Sequence, residues 1–301
     1  MSGRRGGEQR LAMANAKSNW SIGIYAGPSP LALLPHPDAA NPVLSRLDVT
    51  DVPASFVADP FMIERAGTWY LFFEVLHTKV NRGEIGLAES ADGLRWRYRG
   101  IVLREPYHLS YPYVFESNGA YYMVPESVEV GRVQLYRAEK FPYAWTAAGT
   151  LLEVVAADAS PFHYNCAWWM FACTAPYRQD VLRLYRAESL TGPWTEHPKS
   201  PLVNGNPHIA RPAGRVVNLH GRLLRFAQDC HPEYGMTVCA FEVNKLTESD
   251  YCEVEARPEP LLAPGAEPWN RGRMHHIDAH PLADNRWIAC VDGDSERFSK
   301  R

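Results

Sequence analysis

The amino-acid sequence predicts an all-β fold, a five-bladed β-propeller in which strands from the N-terminus complete the last blade. The first observation is a repeat whose units begin at dipeptides with proline in second position: Asp59-Pro60, Tyr111-Pro112, Ser160-Pro161 and Arg211-Pro212. Successive prolines of these dipeptides are 52, 49 and 51 residues apart. A period of about 40 to 50 residues with several strands in each unit is typical of propeller blades.

The second observation is a hairpin inside each unit. In the first unit Asp59 precedes an apolar run, Gly67 marks a turn, and an aromatic run ends at Glu74. The corresponding second-strand segments are residues 69–74, 121–126, 168–173 and 223–228. Tryptophans follow the outer strands at intervals of 49 residues: Trp96, Trp145 and Trp194. Aromatic and β-branched runs separated by glycine and proline predict short antiparallel strands rather than helices.

The third observation concerns the two ends of the chain. The fifth unit, from His275 to Asp292, has room for only two strands, and residues 20–25 alternate apolar with small or polar side chains as a strand does. We therefore expect the N-terminal segment to supply the outer strands of the fifth blade, which leaves no long exposed edge. The predicted organisation is one domain over residues 19–294, with tails at 1–18 and 295–301.

Composition narrows the class of protein. With 301 residues, 46% of them hydrophobic, the chain can bury a large core without disulfide or metal staples. A formal charge of −3 gives no basic surface, so neither nucleic acid nor a membrane is an expected partner. The first residues lack the apolar region of a secretory signal, and the six cysteines form no CxxC pair. We expect a cytoplasmic protein with reduced cysteines and no zinc site.

The innermost strands of a propeller line its axis, and their like ends converge on one funnel. The side chains at the five strand heads should meet there: Asp59, Tyr111, Asp158, Arg211, His275, His276 and Asp278. Asp59 lies between apolar flanks, where an ionised carboxylate is costly without hydrogen bonds or a cation. A turn-closing aspartate before proline is the structural alternative. If His275 and His276 lie in a strand, only one of them faces the axis.

The chain resembles glycoside hydrolase family 43 and its propeller relatives in families 32, 62, 68 and 130. More specifically, it resembles the propeller domain that is N-terminal to the transferase domain in plant glucosamine inositolphosphorylceramide transferases. The resemblance covers residues 20–293 and is carried by these motifs: 58–61 (ADPF), 73–74 (FE), 122–127 (YMVPES), 211–214 (RPAG), Arg225 with Gln228-Asp229, Tyr234-Gly235 and His275-His276. It implies a propeller and a carbohydrate context, but it leaves the reaction open.

The resemblance to family 43 implies that Asp59 is a general base and that Asp158 tunes and orients the acid. That family carries its acid in a Glu-Gly-Pro motif, whereas residues 210–212 here read Ala-Arg-Pro. Glu74 and Glu126, which end the second strands, are the remaining candidates for the acid. We therefore predict a glycoside hydrolase-like enzyme that cleaves a polar or anionic glycoside by an inverting mechanism between two carboxyl groups.

Arg211 and Arg225 offer planar cationic groups suited to carboxylate or phosphate. The resemblance to family 130 makes a phosphorylase acting on a sugar phosphate an alternative. Aromatic rings can stack on a sugar, although most propeller aromatics pack in the core. The predicted substrate-binding residues are Arg211, Arg225, Tyr111, Gln228, Asp229, Tyr234, His275, His276 and Asp278.

A non-catalytic propeller is the alternative from another class of function. It would bind a glycan or nucleotide sugar for a glycosyltransferase or formyltransferase pathway. A closed ion pair between Arg211 and Asp59, Asp158 or Glu126 would favour this alternative over catalysis. No cofactor and no metal ligand are predicted, although the resemblance to family 43 would place a calcium ion near a central histidine.

Overall fold

The computed structural model describes residues 18–295, in which five antiparallel sheets are arranged as blades around an axis. The N-terminal strands are β1 (Trp20–Ser29) and β2 (Ala32–Pro35). Blade 1 contains β3 (Ala54–Arg65), β4 (Thr68–His77), β5 (Arg82–Ser90) and β6 (Arg97–Leu103). Blade 2 contains β7 (Ser110–Ser117), β8 (Ala120–Glu126), β9 (Val133–Lys140) and β10 (Ala144–Leu152). A single-turn 3-10 helix, Val128–Val130, follows β8.

The remaining strands complete the propeller. Blade 3 contains β11 (Ala157–Tyr164), β12 (Ala167–Cys173), β13 (Val181–Ala187), β14 (Thr195–Glu196) and β15 (Val203–Asn204). Blade 4 contains β16 (Arg211–Pro212), β17 (Val217–Leu219), β18 (Arg222–Asp229), β19 (Thr237–Leu246) and β20 (Tyr251–Glu255). Blade 5 contains β21 (Ile277–Pro281) and β22 (Trp287–Asp294) together with β1 and β2.

The last blade confirms the predicted closure. Strand β1 pairs antiparallel with β22 from Trp20 opposite Asp294 to Gly27 opposite Trp287, and β2 pairs with the outer side of β1. The sheet order is therefore β2-β1-β22-β21, so the two ends of the chain are joined within one sheet. Most of the residues predicted to form tails, 1–17 and 296–301, lie outside the described part of the chain.

Three inner strands contain a bulge at their heads, where one residue has a left-handed backbone. Asp59, Tyr111 and Asp158 have φ values of 52°, 46° and 52°. In blade 1 the pairing steps from Ala58 to Phe61, and in blade 3 it steps likewise from Ala157 to Ser160. Asp158 is therefore the equivalent of Asp59. The sequence alignment on Ser160-Pro161 was wrong by two residues, because the repeated feature is the bulge and not the proline.

The core consists of side chains packed between neighbouring blades. Phe61 and Phe72 of blade 1 pack with Tyr111, Tyr113 and other residues of blade 2 in one buried cluster. The regularly spaced tryptophans have the expected structural role, since each indole N–H donates to a carbonyl three or four residues earlier: Trp96 to Gly93, Trp145 to Pro142 and Trp194 to Leu190. No helix within residues 18–295 has the length and apolar character needed to cross a membrane.

All six cysteines are free thiols in the described chain. Cys173 and Cys290 are buried, as their apolar neighbours in the sequence indicate, and Cys230 is buried although Asp229 and His231 flank it. Cys166 and Cys252 are exposed, because the first lies in the turn between β11 and β12 and the second in the outer strand of blade 4.

Candidate functional site

A small pocket lies at the end of the axis where the strand heads converge. Its polar lining includes six of the side chains that the sequence predicted for the site: Asp59, Glu74, Glu126, Arg211, Tyr234 and His275. The space inside measures about 40 Å³, which is room for a few water molecules. The inner strand heads supply one wall, and the ends of the second strands β4 and β8 supply another.

Arg211 is held in a closed network of ion pairs. Its Nε lies 2.6 Å from Asp158 Oδ2, and its Nη2 lies 3.0 Å from Glu126 Oε2. Its guanidinium stacks over the Tyr234 ring at 4.8 Å. The side-chain amide of Gln228 donates to Asp158 Oδ2 at 2.8 Å. One arginine thus faces two carboxyl groups, and the ion-pair alternative considered for Arg211 is the one observed.

The pKa of Glu126 reflects the fact that Arg211 faces two carboxyl groups. Burial raises the pKa of Glu126 well above its ordinary value; Arg211 opposes this rise, and the neighbouring Asp158 adds to it. A single guanidinium cannot offset two buried carboxylates. Burial and the neighbouring Asp158 therefore favour the neutral form of Glu126, although it contacts Arg211.

Asp59 is buried, and only one of its two carboxyl oxygens accepts a hydrogen bond. Its Oδ2 accepts the backbone N–H of Tyr111 at 3.2 Å, whereas its Oδ1 has no hydrogen-bond partner. Burial raises the pKa of Asp59 to about 7, with His275 opposing the rise and Asp292 and Asp158 adding to it. A carboxyl group with that pKa exchanges its proton near neutral pH, which is the property required of an acid–base group.

Glu74 lies beside a neutral histidine. The Nδ1 of His108 accepts the backbone N–H of Gly83 at 2.9 Å, so the proton of the neutral ring is on Nε2, 3.3 Å from Glu74 Oε1. Burial lowers the pKa of His108 to about 4. Burial also raises the pKa of Glu74 well above its ordinary value, and Asp59 and Glu126 add to the rise. Both effects favour the neutral form of the Glu74 carboxyl group.

His275 and His276 both approach Asp59, and the condition under which only one of them would face the axis, that they lie in a strand, is not met. They precede β21 and so do not alternate as strand residues do. The closest ring nitrogens, His275 Nε2 and His276 Nδ1, lie 3.8 and 4.0 Å from Asp59 Oδ1. Neither nitrogen of His276 has a hydrogen-bond partner, and burial lowers its pKa to about 4.

His275 has a fixed orientation. Its Nδ1 lies 2.8 Å from Asp292 Oδ1, and its ring stacks on Trp20 at 4.0 Å. Burial opposes ionisation of His275, but Asp292 outweighs this effect and the pKa is raised. Asp292 therefore favours the charged form of His275.

Three of these side chains could contribute to a metal site. Ligand atoms of Asp59, His275 and Asp292 all lie within 4.8 Å of one another. Calcium takes about six to eight oxygen ligands, so these three residues would fill only part of its coordination shell. The sequence prediction of no metal ligand and the calcium ion that the resemblance implies both remain predictions.

A chain of hydrogen bonds around the axis joins neighbouring blades. Asp292 of blade 5 accepts the backbone N–H of Asp59, which in turn accepts that of Tyr111 in blade 2. The Tyr111 hydroxyl lies 2.8 Å from Ser160 Oγ, which donates to the Asp158 carbonyl in blade 3. The Asp158 side chain then pairs with Arg211 of blade 4. The left-handed residues aim their polar groups sideways at the next blade.

Several predicted site residues lie away from the pocket. Arg225 forms a two-pronged ion pair with Glu253 of the outer strand, at 2.7 and 2.6 Å. Asp278 pairs with Arg215, at 2.7 Å, and does not line the pocket. Asp229 contacts His208, whose ring is half exposed. The other four predicted residues that are absent from the lining are buried: Tyr111, Asp158, Gln228 and His276. Gln228 donates a hydrogen bond to Asp158.

The pocket also includes residues that sequence reasoning missed. Trp20, His108 and Ser110 line it, and Asp292 orients His275 behind the wall. Asp292 could have been found, since it ends the second strand of its unit as Glu74 does in blade 1. His108 lies in the loop between blades and follows no repeat, so the sequence offers no signal for it.

Known structures share this architecture. A family 117 glycoside hydrolase from Zobellia galactanivorans aligns with a TM-score of 0.56 and 14% identity, over 95% of this chain and 96% of that one. The catalytic domain of a family 62 α-L-arabinofuranosidase from Coprinopsis cinerea aligns with a TM-score of 0.59 and 12% identity, over 93% and 98% of the two chains. At these identities the likeness shows the fold alone.

The curated relatives are much closer in sequence. Glucosamine inositolphosphorylceramide transferase 1 of Oryza sativa subsp. japonica is 37% identical over 303 residues, which cover 94% of this chain and 41% of the relative. The Arabidopsis thaliana protein of that name is 35% identical over 300 residues, which cover 92% and 39%. The chain thus spans about two-fifths of the length of these relatives. The family model "Glucosamine inositolphosphorylceramide transferase 1, N-terminal" matches residues 12–294, and the chain belongs to that family.

Proposed function

We propose that the axial pocket is a carbohydrate site and that Asp59 and Glu74 are its base and acid. The observation that carries the proposal is a pair of buried carboxyl groups in one pocket, each with an oxygen that has no hydrogen-bond partner. Burial raises the pKa of both groups, that of Asp59 to about 7 and that of Glu74 well above its ordinary value. A pair of carboxyl groups in which one can hold a proton is the arrangement used in glycoside cleavage.

Each residue has one role in this proposal. Glu74 donates its proton to the oxygen of the leaving group, and Asp59 takes a proton from the attacking water. His275, which is charged and paired with Asp292, limits the pKa of Asp59 so that the carboxylate form is available near neutral pH. Glu126 is tied to Arg211 and is a weaker candidate for the acid than Glu74.

Phosphorolysis and an anionic substrate receive less support from the geometry. Both need a cation that is free to pair with the ligand. Arg211 already faces two carboxyl groups, and Arg225 is paired with Glu253 outside the pocket. A neutral polar glycoside therefore fits the pocket better than a sugar phosphate.

Non-catalytic sugar binding is the second candidate. The closed Arg211 network favours it, because the guanidinium in the pocket lining already faces two carboxyl groups. Matched relatives are named as transferases, and the chain corresponds to their N-terminal part. In this case the propeller would hold a sugar for chemistry carried out elsewhere.

A panel of aryl glycosides, assayed with and without phosphate, tests the proposal. Wild type should release the aryl group, whereas Asp59→Asn and Glu74→Gln should lose at least a hundredfold in kcat/KM. Asp284→Asn is the control, because Asp284 pairs with Arg286 at the surface. Undiminished turnover in Asp59→Asn would refute the base assignment.

Binding measurements on the same proteins separate the two candidates. Sugar binding without turnover in the wild type would leave only the non-catalytic function. Turnover that requires phosphate would instead support a phosphorylase and refute the hydrolytic assignment.

A further inference from the structure

His108 is a titratable side chain in the pocket lining that the proposed mechanism does not use. It lies in the loop between β6 and β7, and two hydrogen bonds join this loop to Gly83 of β5. The Gly83 N–H donates to His108 Nδ1 at 2.9 Å, and the N–H of Leu109 donates to the Gly83 carbonyl at 3.1 Å. The ring is therefore held in one position and in one tautomer, with its proton on Nε2.

The contact between His108 and Glu74 is close but incomplete. His108 Nε2 lies 3.3 Å from Glu74 Oε1, and that oxygen is buried without a hydrogen-bond partner. A hydrogen bond from N–H to a carboxylate is about 2.7–2.9 Å long when charge assists it. Burial and the neighbouring carboxyl groups favour the neutral form of Glu74. The N–H of His108 therefore lies beside an oxygen that can draw it closer once Glu74 ionises.

Gly83 leaves the space that this contact needs. A Cβ at residue 83 would lie 2.8 Å from Glu74 Oε1, 2.9 Å from His108 Cε1 and 2.2 Å from the Leu109 carbonyl oxygen. Any larger residue would collide with both side chains and with the backbone of the loop. Strand β5 thus fixes His108 through the Gly83 N–H and lets Glu74 approach it through the missing side chain.

We propose that His108 is a positioning residue for Glu74, whose Oε1 accepts the His108 Nε2–H as Glu74 gives up its proton. This inference rests on the proposed function and adds a residue to it. The O–H bond of Glu74 breaks at the other oxygen, Oε2, the proton goes to the oxygen of the leaving group, and the electron pair stays on the carboxylate. His108 keeps its own proton. A hydrogen bond that strengthens only as charge develops lowers the barrier without tightening substrate binding.

The effect on ionisation has a definite sign. A donor to the carboxylate favours the charged form, so loss of the donor should raise the pKa of Glu74 further. Four other carboxyl groups act on Glu74 and raise its pKa: Asp59, Glu126, Asp158 and Asp292. The basic side chains of the lining are Arg211 and His275, and Glu129 accepts the backbone N–H of His108. Substitution of His108 leaves these groups in place.

Two substitutions in the full chain separate the roles of the two ring nitrogens. His108→Asn keeps an acceptor near the position of Nδ1 for the Gly83 N–H, but it has no donor that reaches Glu74. His108→Gln places an amide N–H near the position of Nε2 and loses the acceptor. His220→Asn is the matched control, because His220 is exposed in the turn between β17 and β18, where its φ of 52° suits asparagine.

Carboxyl titration by NMR and steady-state kinetics measure the effect. With ¹³C-labelled glutamate, and Glu74→Gln to assign the resonance, His108→Asn should raise the titration midpoint of Glu74 by about one pH unit. With an aryl glycoside that the wild type hydrolyses, kcat of His108→Asn should fall about tenfold with KM unchanged. The alkaline limb of its pH profile should move upward with the midpoint. His108→Gln should recover most of these changes.

The possible failures are distinguishable. An unshifted Glu74 midpoint in His108→Asn would overturn the inference, and so would equal losses in both His108 variants with an unmoved alkaline limb, which would assign His108 to packing alone. Hydrolysis that requires Glu74 but not His108 would keep the proposed function and remove His108 from it. A shifted midpoint in a chain that hydrolyses no glycoside would overturn the proposed function and leave His108 as the residue that sets the charge of Glu74.

The wild type supplies a test that does not depend on the folding of a variant. Nitrogen NMR of the ¹⁵N-labelled histidine rings should show His108 as the neutral Nε2–H tautomer at pH 7. A proton on Nδ1 at that pH would overturn the inference.

Discussion

Replacement of Asp59 by asparagine should change stability in a way that depends on pH. The substitution keeps the shape and the acceptor for the Tyr111 N–H, which lies 3.2 Å from Oδ2. It removes the ionisable group, whose other oxygen has no hydrogen-bond partner. The variant therefore isolates the free energy that the fold loses by burying this carboxyl group.

The sign follows from the raised pKa. Below the ordinary aspartate pKa of 3.8, the carboxyl group is protonated in both the folded and the unfolded chain, so it does not affect the free energy of unfolding. As the pH rises from 3.8 to about 7, the unfolded chain loses the proton while the folded chain keeps it, and the wild type becomes less stable. Above that range the full loss applies, which is about 4 kcal/mol for a shift of this size.

The assay is urea unfolding of both proteins from pH 4 to pH 9. The free energy of unfolding of Asp59→Asn, relative to wild type, should increase with pH by about 4 kcal/mol and level off above pH 8. Asp278→Asn is the matched contrast. Burial opposes ionisation of Asp278, but Arg215 and His280 hold its pKa below the ordinary value. Its stabilisation is present above that ordinary value and lost in acid, so this variant should be less stable at pH 7 by about 3–5 kcal/mol.

A constant difference between Asp59→Asn and wild type across the whole range would refute the reasoning. It would mean that Asp59 ionises equally in the folded and unfolded chains, and hence that water or a bound cation reaches it in the folded state. The proposed base would then have no raised pKa.

Three further predictions concern the surroundings of the pocket. Arg211→Met should lower the free energy of unfolding at pH 7 by about 3–5 kcal/mol, since two buried carboxyl groups lose their cation; urea unfolding measures it. Gly214→Ala should destabilise far more than Gly221→Ala, because a Cβ at Gly214 would lie 1.7 Å from a backbone oxygen of Ile277, whereas one at Gly221 meets nothing within 4 Å; thermal melts compare them. Arg225→Met should lower stability yet leave sugar affinity unchanged, as titration would show, because Arg225 lies outside the pocket.

The blades could be predicted from the sequence because each one repeats the same pattern of buried apolar residues. A second strand packed between two blades must be apolar in every unit, so residues 69–74 and 121–126 resemble each other. Completion of the fifth blade by the N-terminal strands could also be predicted, because a two-stranded fifth unit would expose a long edge unless another segment covered it. Both inferences depend on periodic burial, which a single sequence displays directly.

The strand heads were harder to align because their shared property is a backbone angle. Asp59 and Tyr111 precede proline, and Asp158 precedes alanine, yet all three have a positive φ at a bulge. In blades 1 and 2 a proline follows the left-handed residue directly. In blade 3 an alanine stands at that position, and the proline comes two residues later. Alignment on Pro161 consequently understated the equivalence of Asp158 to Asp59.

The ion pairs could not be predicted from the sequence, because the partners of each charged residue lie far from it along the chain. Arg211 and Arg225 are 14 positions apart in one hairpin unit and both suit an anion. The first meets Asp158 and Glu126 of neighbouring blades, and the second meets Glu253 of its own outer strand. Which arginine faces the axis is decided by the register of β16 and β18, and the sequence pattern does not specify that register.

The hydrogen-bond chain around the axis shows which polar groups join neighbouring blades and which remain for a ligand. A propeller must hold its blades together where the inner strands are closest, and buried polar groups must find partners there. Asp292, Tyr111, Ser160, Asp158 and Arg211 are accounted for by that requirement, because each bonds to a neighbouring blade. Asp59 uses its backbone N–H and its Oδ2 in these hydrogen bonds, whereas its Oδ1 has no partner. Glu74 Oε1 takes no part in them. Since blade assembly explains the other polar atoms without a ligand, these two oxygens and the nitrogens of His276 carry the functional argument.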